Sequence, residues 1–425
     1  MTPRGFLARL RHLAVDLTPL RESRDFRLLW SGQLISMVGR QITTVALPFQ
    51  VFQMTGSSLA VGTLGLVQLV PYIVMSLAGG SLADSYDRRK LLLGTQVGLA
   101  ATSGLLALGA FGGRPALLFV YAVAGLASAI SAIDLPARAA TTPNLVPPRR
   151  LAAALSLNFA LFQVTLVAGP AVGGLIIARF GLGWGYLIDV ATFGASIAAV
   201  LLLRPQRPVG ARREPPLLAI GRGLRFVGER QPILGCFVAD LDAMILAWPR
   251  ALFPVIALQG YHAGAAGLGL LFAAPGVGSV VASLLSGFVG GLRHQGRAVL
   301  ISVAVWGLGI ALFGLTTFSL PLGLACLALA GAADAISAIA RGTIIQTITP
   351  DRLRGRLSAT NSMVVVGGPY LGDFRGGAMA SLIGPGTALV AGGVLCVAVC
   401  GLIAALLPRL RDYDSTAPPV AAPDG

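Results

Sequence analysis

Gly80-Ser81-Leu82-Ala83-Asp84-Ser85-Tyr86-Asp87-Arg88-Arg89-Lys90 gathers five charged side chains into eleven residues. One apolar run, 58–83, leads into it and another, 91–112, follows it. Each is long enough to cross a bilayer, for which a helix needs about 20 apolar residues. Backbone N–H and C=O groups cannot stay unpaired in hydrocarbon, so runs of this kind cross as helices. The stretch reads as a short polar turn joining two membrane-spanning helices.

The same alternation continues outward to both ends. Apolar segments fall at 28–51, 58–83, 91–112, 115–140, 152–178, 184–203, 233–258, 265–291, 298–318, 321–346, 358–381 and 385–408. The 425 residues are 55% hydrophobic and 12% charged, with a mean hydropathy of +0.79. That charged share is about half the usual value for a soluble domain. Too little polar side chain remains to cover a water-exposed surface, which excludes a multidomain soluble enzyme. The expected fold class is an all-α integral membrane protein of twelve transmembrane helices. The Pro- and Arg-rich stretch 204–231 divides them six and six. The expected organisation is an N-tail at 1–27, a six-helix bundle at 28–203, a central loop at 204–231, a second bundle at 232–408 and a C-tail at 409–425.

Net charge is +15, and all but one of the 32 basic residues are arginine, the exception being Lys90. With the N-terminus placed in the cytoplasm, 25 of the 32 fall in cytoplasmic tails and loops, five within segments, and only Arg114 and Arg179 outside. Short loops rich in Lys and Arg stay on the cytoplasmic side. Both termini are therefore expected there, in a multi-pass protein of the cell (inner) membrane. No basic face of a soluble domain remains for nucleic acid. Leu7, Leu10, Leu13 and Leu17, interleaved with Arg4, Arg9 and Arg11, suit either a helix lying on the inner leaflet or a disordered basic tail. No cleavable signal is expected at the N-terminus, and the Ala- and Pro-rich last ten or so residues read as disordered.

The two halves echo each other. Ala129-Ile130-Ser131-Ala132-Ile133 recurs as Ala335-Ile336-Ser337-Ala338-Ile339, and Ser76, Leu77 and Gly80 as Ser283, Leu284 and Gly287. Similar offsets in equivalent segments indicate a duplicated six-helix unit. Ionisable side chains inside the segments are costly and need a cavity or a partner. Segment 1 carries Gln33, Ser36, Arg40, Thr43 and Gln50 on one helical face, and segment 4 carries Ser128, Ser131, Asp134, Arg138 and Thr142. Asp134 and Arg138, one turn apart, can pair. Segment 7 holds Asp240, Asp242 and Arg250, with Asp240 and Asp242 pointing to nearly opposite sides. Segment 10 holds Asp334, Ser337 and Arg341, and segment 11 holds Asp373 and Arg375. Two readings stand: a central polar cavity lined by segments 1, 4, 7 and 10, or ion pairs that fix helix packing. Asp189 in segment 6 reads as structural, near an interface.

The opening stretch resembles the major facilitator signature G-x-L-a-D-r-x-G-r-[RK]. Gly80, Leu82, Asp84, Arg88 and Arg89 match; Ser85 and Asp87 depart, and Asp87 can cap the following helix at its positive end. Gly169-Pro170-Ala171-Val172-Gly173-Gly174 is similar to the G-P-x-x-G-G core of the major facilitator antiporters, with Leu157 and Thr165 where the full motif has further glycines. Phe26-Arg27-Leu28-Leu29-Trp30, Val45-Ala46-Leu47-Pro48, Pro136-Ala137-Arg138, Pro249-Arg250-Ala251-Leu252-Phe253-Pro254, Thr349-Pro350 and Gly355-Arg356 resemble the enterobactin (catecholate siderophore) exporter group across about residues 24–410. Arg40 departs from that group.

The resemblance implies the major facilitator fold, two bundles related by a pseudo-two-fold axis, with Asp84 latching the halves on the cytoplasmic side. In the second half Gly291 stands where that aspartate would fall. It further implies a secondary active exporter of a small organic molecule such as a siderophore, coupled to protons, acting as a monomer in the lipid bilayer without a cofactor. The substrate-cavity and coupling candidates are Gln33, Arg40, Asp134, Arg138, Asp240, Arg250, Asp334 and Arg341. The conformational candidates are Gly80, Asp84, Asp87, Arg88, Arg89, Gly169, Pro170, Gly173 and Gly174. Guanidinium groups suit anionic or catechol-like oxygens through paired hydrogen bonds. A P-loop needs Gly-Lys-Ser/Thr, and Lys90 lies between Arg89 and Leu91. His12, His262 and His294 are too scattered for a metal site, and the four cysteines read as small apolar residues. A broad multidrug or macrolide-type efflux antiporter remains the alternative, and a non-transporting receptor or scaffold a remote one.

Overall fold

The chain builds its helices from conventional start and stop signals. The Ser23 hydroxyl accepts the Phe26 N–H at the head of the first long helix and donates to the Leu145 carbonyl at 2.6 Å. Ser57 caps the second helix through Ala60 N–H, and Asp87 the third through Arg89 N–H at 2.9 Å. Gly56 stops the first helix in the left-handed conformation that glycine adopts without strain. Ser23→Ala removes a cap and an inter-helix bond together. Its expected cost is about 1 kcal/mol, seen as a lower Tm of the purified protein.

The computed structural model describes residues 16–113, 115–206, 221, 225–284 and 293–414, and the backbone alone at 80, 81, 83, 84, 351–356, 358–360, 362 and 363. Twelve long helices run through the described residues: α1 Arg24–Thr55, α2 Ser58–Ser85, α3 Arg88–Phe111, α4 Leu117–Leu145, α5 Leu151–Phe180, α6 Leu182–Leu201, α7 Gln231–Leu246, α8 Gly264–Leu284, α9 Gln295–Leu315, α10 Leu320–Ile348, α11 Asp351–Ile383 and α12 Pro385–Leu406. Among the described residues, ten spans are long and apolar enough to cross a membrane. The other two helices, α1 and α11, have more polar middles, with Arg40, Gln41, Thr43 and Thr44 on one and Asp373 and Arg375 on the other.

Segment 7 departs from the continuous helix expected over 233–258. It breaks at 247–249 and resumes as a 3-10 turn (Arg250–Leu252), an α turn (Phe253–Val255) and a π turn (Ile256–Gly260). Pro249 and Pro254 cause this, since proline removes a donor and clashes with the preceding turn. Segment 11 begins earlier than expected, at Asp351, because Pro350 marks its start. The N-tail before residue 16, Arg114, most of the central loop, Gly287, Gly291 and the last eleven residues lie outside the described residues.

Helices α1 and α5, α1 and α6, α2 and α4, and α3 with α4 and α6 pack together. So do α7 with α11, α8 with α10, and α9 with α10 and α12. The two groups of six meet mainly along α2–α11 and α5–α8. Both described chain ends lie on one membrane face, here the near face, where Arg150 pairs with Glu22 at 2.9 Å and Arg293 with Asp414 at 2.7 Å. The Arg150 hydrogen bond holds the Glu22 carboxyl below its ordinary range. That pair is intact at neutral pH and is lost only as pH falls through the lowered value.

The closest approaches between the groups lie toward the far face, and glycine makes them possible. A methyl added at Gly174 would sit 2.6 Å from the Ala265 carbonyl oxygen and 2.7 Å from Gly269 Cα; one at Gly62 would sit 2.7 Å from the Asp373 carbonyl oxygen. The main apolar core crosses between the halves there, joining Ile42, Val45 and Phe49 to Leu252, Phe253 and Leu268. Toward the near face, Phe26, Leu29, Leu92 and Leu157 form a separate cluster within the first group. Among the described residues, the halves are clasped at the far end.

Candidate functional site

Near the middle of α1, Arg40 faces a cage built by three helices. Asp134 of α4 is 1% exposed and accepts hydrogen bonds from Thr95 and Gln96 of α3, each at 2.8 Å. It also accepts one from Arg138 Nε at 2.7 Å, and Arg40 Nη2 lies 3.5 Å away. One buried carboxylate thus serves two guanidinium groups. Arg40 Nε and both terminal nitrogens of Arg138 have no hydrogen-bond partner among the described residues. A second buried carboxylate, Asp189 of α6, accepts from Thr43 at 2.6 Å and Ser103 at 2.8 Å.

The other half holds the counterpart. Arg341 of α10 bonds Asp240 of α7 and lies 3.6 Å from Asp334 on its own helix. Here one guanidinium serves two carboxylates. Asp242, pointing the other way from α7, contacts Cys396 Sγ on α12 at 3.7 Å. The four cysteines are all unpaired thiols.

Between the halves lies a cavity of about 420 Å³. Arg40, Thr43, Ser131 and Asp189 face it from the first half, and Trp248, Arg250, Tyr370 and Asp373 from the second. The break in α7 puts Trp248 and Arg250 there, since it turns the chain and leaves free N–H groups. Asp373 of α11 takes one of them, the Ala251 N–H, at 3.0 Å. A smaller cavity of about 190 Å³ adjoins it, sharing Thr44, Trp248, Arg250 and Phe272 and reaching Asp334, Ser279 and Trp306. Trp248 and Trp306 stack with ring centroids 5.9 Å apart, and the Arg250 guanidinium lies 5.3 Å from the Phe272 ring.

Of the residues singled out by sequence, Arg40 and Arg250 line the larger cavity and Asp334 the smaller one. Asp134, Arg138 and Arg341 form the ion cages behind these walls. Asp240 is 4% exposed beneath Arg341 and lines neither cavity. Gln33 contacts Met37 Sδ at 3.5 Å, away from both cavities, and Gln50 is buried against Tyr186. Asp189, read as a packing residue, does join α1, α3 and α6, and it also borders the larger cavity. Asp373, Tyr370, Gln68 and Trp248 were not among the sequence candidates. The signal available for Asp373 was a carboxylate two residues from Arg375 in the polar middle of α11.

The motif residues are placed as follows. Asp87 caps α3 and also accepts the Gln206 N–H at 3.1 Å. Arg88 donates to the Ala140 carbonyl, and Arg89 to that of Val200. The backbone is helical at Gly80 and Asp84, whose surroundings lie outside the described residues. Gly169 and Gly173 receive Gln41 and Ile42 of α1, whereas Gly174 and the Pro170 carbonyl meet Gly269 across the interface. The antiporter-like core therefore packs α5 against its own bundle and against the opposite one.

The sequence profile of the transmembrane secretion effectors, a major facilitator family, matches residues 14–422. The chain belongs to this family. The enterobactin exporter EntS of Escherichia coli O157:H7 is 30% identical over 417 residues, covering 97% of this chain and 98% of the relative. An inward-facing bacterial homologue of the human lysosomal transporter Spinster superposes with a TM-score of 0.73 at 16% identity, over 92% of this chain and 98% of that one. A bacterial homologue of the iron transporter ferroportin, also inward-facing, superposes at 0.71 with 15% identity over 92% and 99%. This major facilitator chain is a multi-pass membrane transporter of a small-molecule substrate and not an enzyme.

Proposed function

We propose that this transporter exports a small organic molecule such as a siderophore by alternating access, in exchange for protons, as a monomer in the inner membrane with both termini cytoplasmic. The observation that carries the reading is the cavity enclosed between the two halves, with Arg40 on one wall and Arg250 on the other. Two guanidinium groups on opposite walls suit a cargo rich in anionic or catechol-like oxygens, which accept paired hydrogen bonds. The 25-to-2 division of basic residues supports placing the near face in the cytoplasm. On that orientation the glycine-lined clasp shuts the outer side and the structure is inward-facing. Rocking of the halves would open the clasp and release the cargo outside.

The aromatic wall of Trp248, Tyr370, Phe193 and Phe272 favours a second reading, a multidrug or macrolide-type efflux antiporter. A substrate panel in proteoliposomes separates the two. The siderophore reading expects uptake of enterobactin into inside-out proteoliposomes and little uptake of lipophilic cations such as ethidium. Arg40→Ala and Arg250→Ala should each lower enterobactin transport by roughly 10- to 100-fold, the worth of a hydrogen bond to a charged group. Ethidium transport with enterobactin ignored would overturn the siderophore assignment.

A further inference from the structure

We infer that Asp373 is the site that binds the exchanged proton. This rests on the proton-coupled reading above and adds the residue that would carry it. The intramembrane aspartates divide by what surrounds them. Asp134 is enclosed by Arg138, Arg40, Thr95 and Gln96. Asp240 and Asp334 share Arg341. Each of these three carboxylates already has a guanidinium within 4 Å. Asp189 has no such cation at contact, yet its hydroxyl donors Thr43, Ser103 and Thr192 all belong to its own half. Titrating it would leave the contacts between the halves unchanged. Asp242 borders neither cavity.

Asp373 differs in three respects. Its carboxylate faces the larger cavity and has no ion-pair partner among the described residues. Its one hydrogen bond is to the Ala251 N–H, at the first turn after the break in α7. Its own stretch of α11 packs on α2 of the opposite half, where Gly62 meets the Asp373 carbonyl and Gly65 meets its Cβ. The residue therefore joins the cavity, the broken helix and the outer clasp. The charged and titratable groups around it are Arg250 on the α7 extension, Tyr370 on α11, and Arg40 and Asp189 across the cavity. On its own helix Arg375 turns away toward Met379 and Gly392, and α2 brings Tyr72, whose ring centroid lies 6.3 Å from that of Tyr370.

Exchange follows from competition at one oxygen. As a carboxylate, Asp373 accepts O–H hydrogen bonds from hydroxyl or catechol groups of the cargo and the N–H of Ala251. A proton from cavity water adds to the carboxylate to give the neutral acid, which loses the negative charge and turns one acceptor oxygen into a donor, weakening the hold on cargo hydroxyls and on the α7 extension. Cargo leaves as the proton arrives, and the proton must depart toward the cytoplasm before cargo binds again.

The test uses the full chain in proteoliposomes with enterobactin as the probe. For one-to-one exchange, a gradient of one pH unit is expected to drive accumulation of wild type about tenfold above the level without a gradient. Asp373→Asn is expected to accumulate nothing above that level and to lower enterobactin counterflow by roughly tenfold, the worth of a lost hydrogen bond to a charged group. Its counterflow should also lose the acid inhibition that wild type shows. Asp373→Glu, which retains the carboxyl group, should restore gradient-driven accumulation. Gradient-driven accumulation by Asp373→Asn overturns the inference alone. Residual counterflow of an Asp373→Asn protein that keeps the acid inhibition of wild type overturns it as well, making the residue a packing element. A wild-type protein that transports enterobactin indifferently to the gradient overturns the proton-coupled reading and this assignment with it.

Discussion

Asp134→Leu is expected to unfold the first bundle at a far lower temperature than wild type. The substitution leaves Arg138 without its 2.7 Å partner and Arg40 without its only counter-ion at contact among the described residues. It also strands the side chains of Thr95 and Gln96, whose hydrogen bonds end on the same oxygen. Removing one member of a buried ion pair costs about 3–5 kcal/mol, because the remaining charge stays buried and uncompensated. For a bundle of this size that corresponds to a fall in Tm of roughly 6–20 °C. Asp134→Asn keeps an acceptor and the shape while losing the charge, and should fall between leucine and wild type. Combining Asp134→Leu with Arg138→Met should recover part of the loss, since one of the two orphaned cations disappears. Thermal unfolding of the three purified variants in detergent decides the matter. A leucine variant melting with the wild type would show that the cage contributes nothing to the fold.

Gly174→Val should disfavour the clasped arrangement without unfolding either bundle. The first added carbon would stand 2.6 Å from the Ala265 carbonyl oxygen and 2.7 Å from Gly269 Cα, where backbone meets backbone and no flexible side chain can give way. Overpacking of this kind costs about 1–3 kcal/mol. Because α5 and α8 belong to different halves, the halves can relieve the clash by separating, which shifts the equilibrium by about 5- to 150-fold. Spin labels at Phe180 and His262, both exposed near the far face, should report a longer distance in the variant. Gly104→Ala is the control, since its new methyl meets nothing nearer than Val190 Cγ2 at 3.9 Å. An unchanged distance distribution in Gly174→Val would mean that the clasp does not depend on this contact.

The sequence carried the helices openly, since hydrocarbon admits little besides long apolar helical runs. Local pairs were legible as well: Asp134 and Arg138 are one turn apart, and their bond needs only the helix itself. The opposite directions of Asp240 and Asp242 followed from the 3.6-residue period, and they reach α10 and α12 respectively. What the sequence could not give was the third dimension. Nothing in the spacing joins Arg40 to Asp134 or Arg341 to Asp240, contacts spanning about a hundred residues. The break in α7 was signalled by Pro249 and Pro254, but the apolar run continued past both and read as unbroken. Asp373 escaped the candidate set because its helix shows no polar stripe; its role as a cavity wall comes from the way α11 leans on α2.

The two ion cages described above are built to the same plan but with opposite formal balance. The first places two guanidinium groups on one carboxylate, and the second places two carboxylates on one guanidinium. The second is not a positional copy of the first: at the repeat offset of 206, Asp134 and Arg138 correspond to Ala340 and Ile344. The walls in front of the cages carry one arginine and one aspartate each, Arg40 with Asp189 and Arg250 with Asp373, so the unequal charges lie one layer deeper.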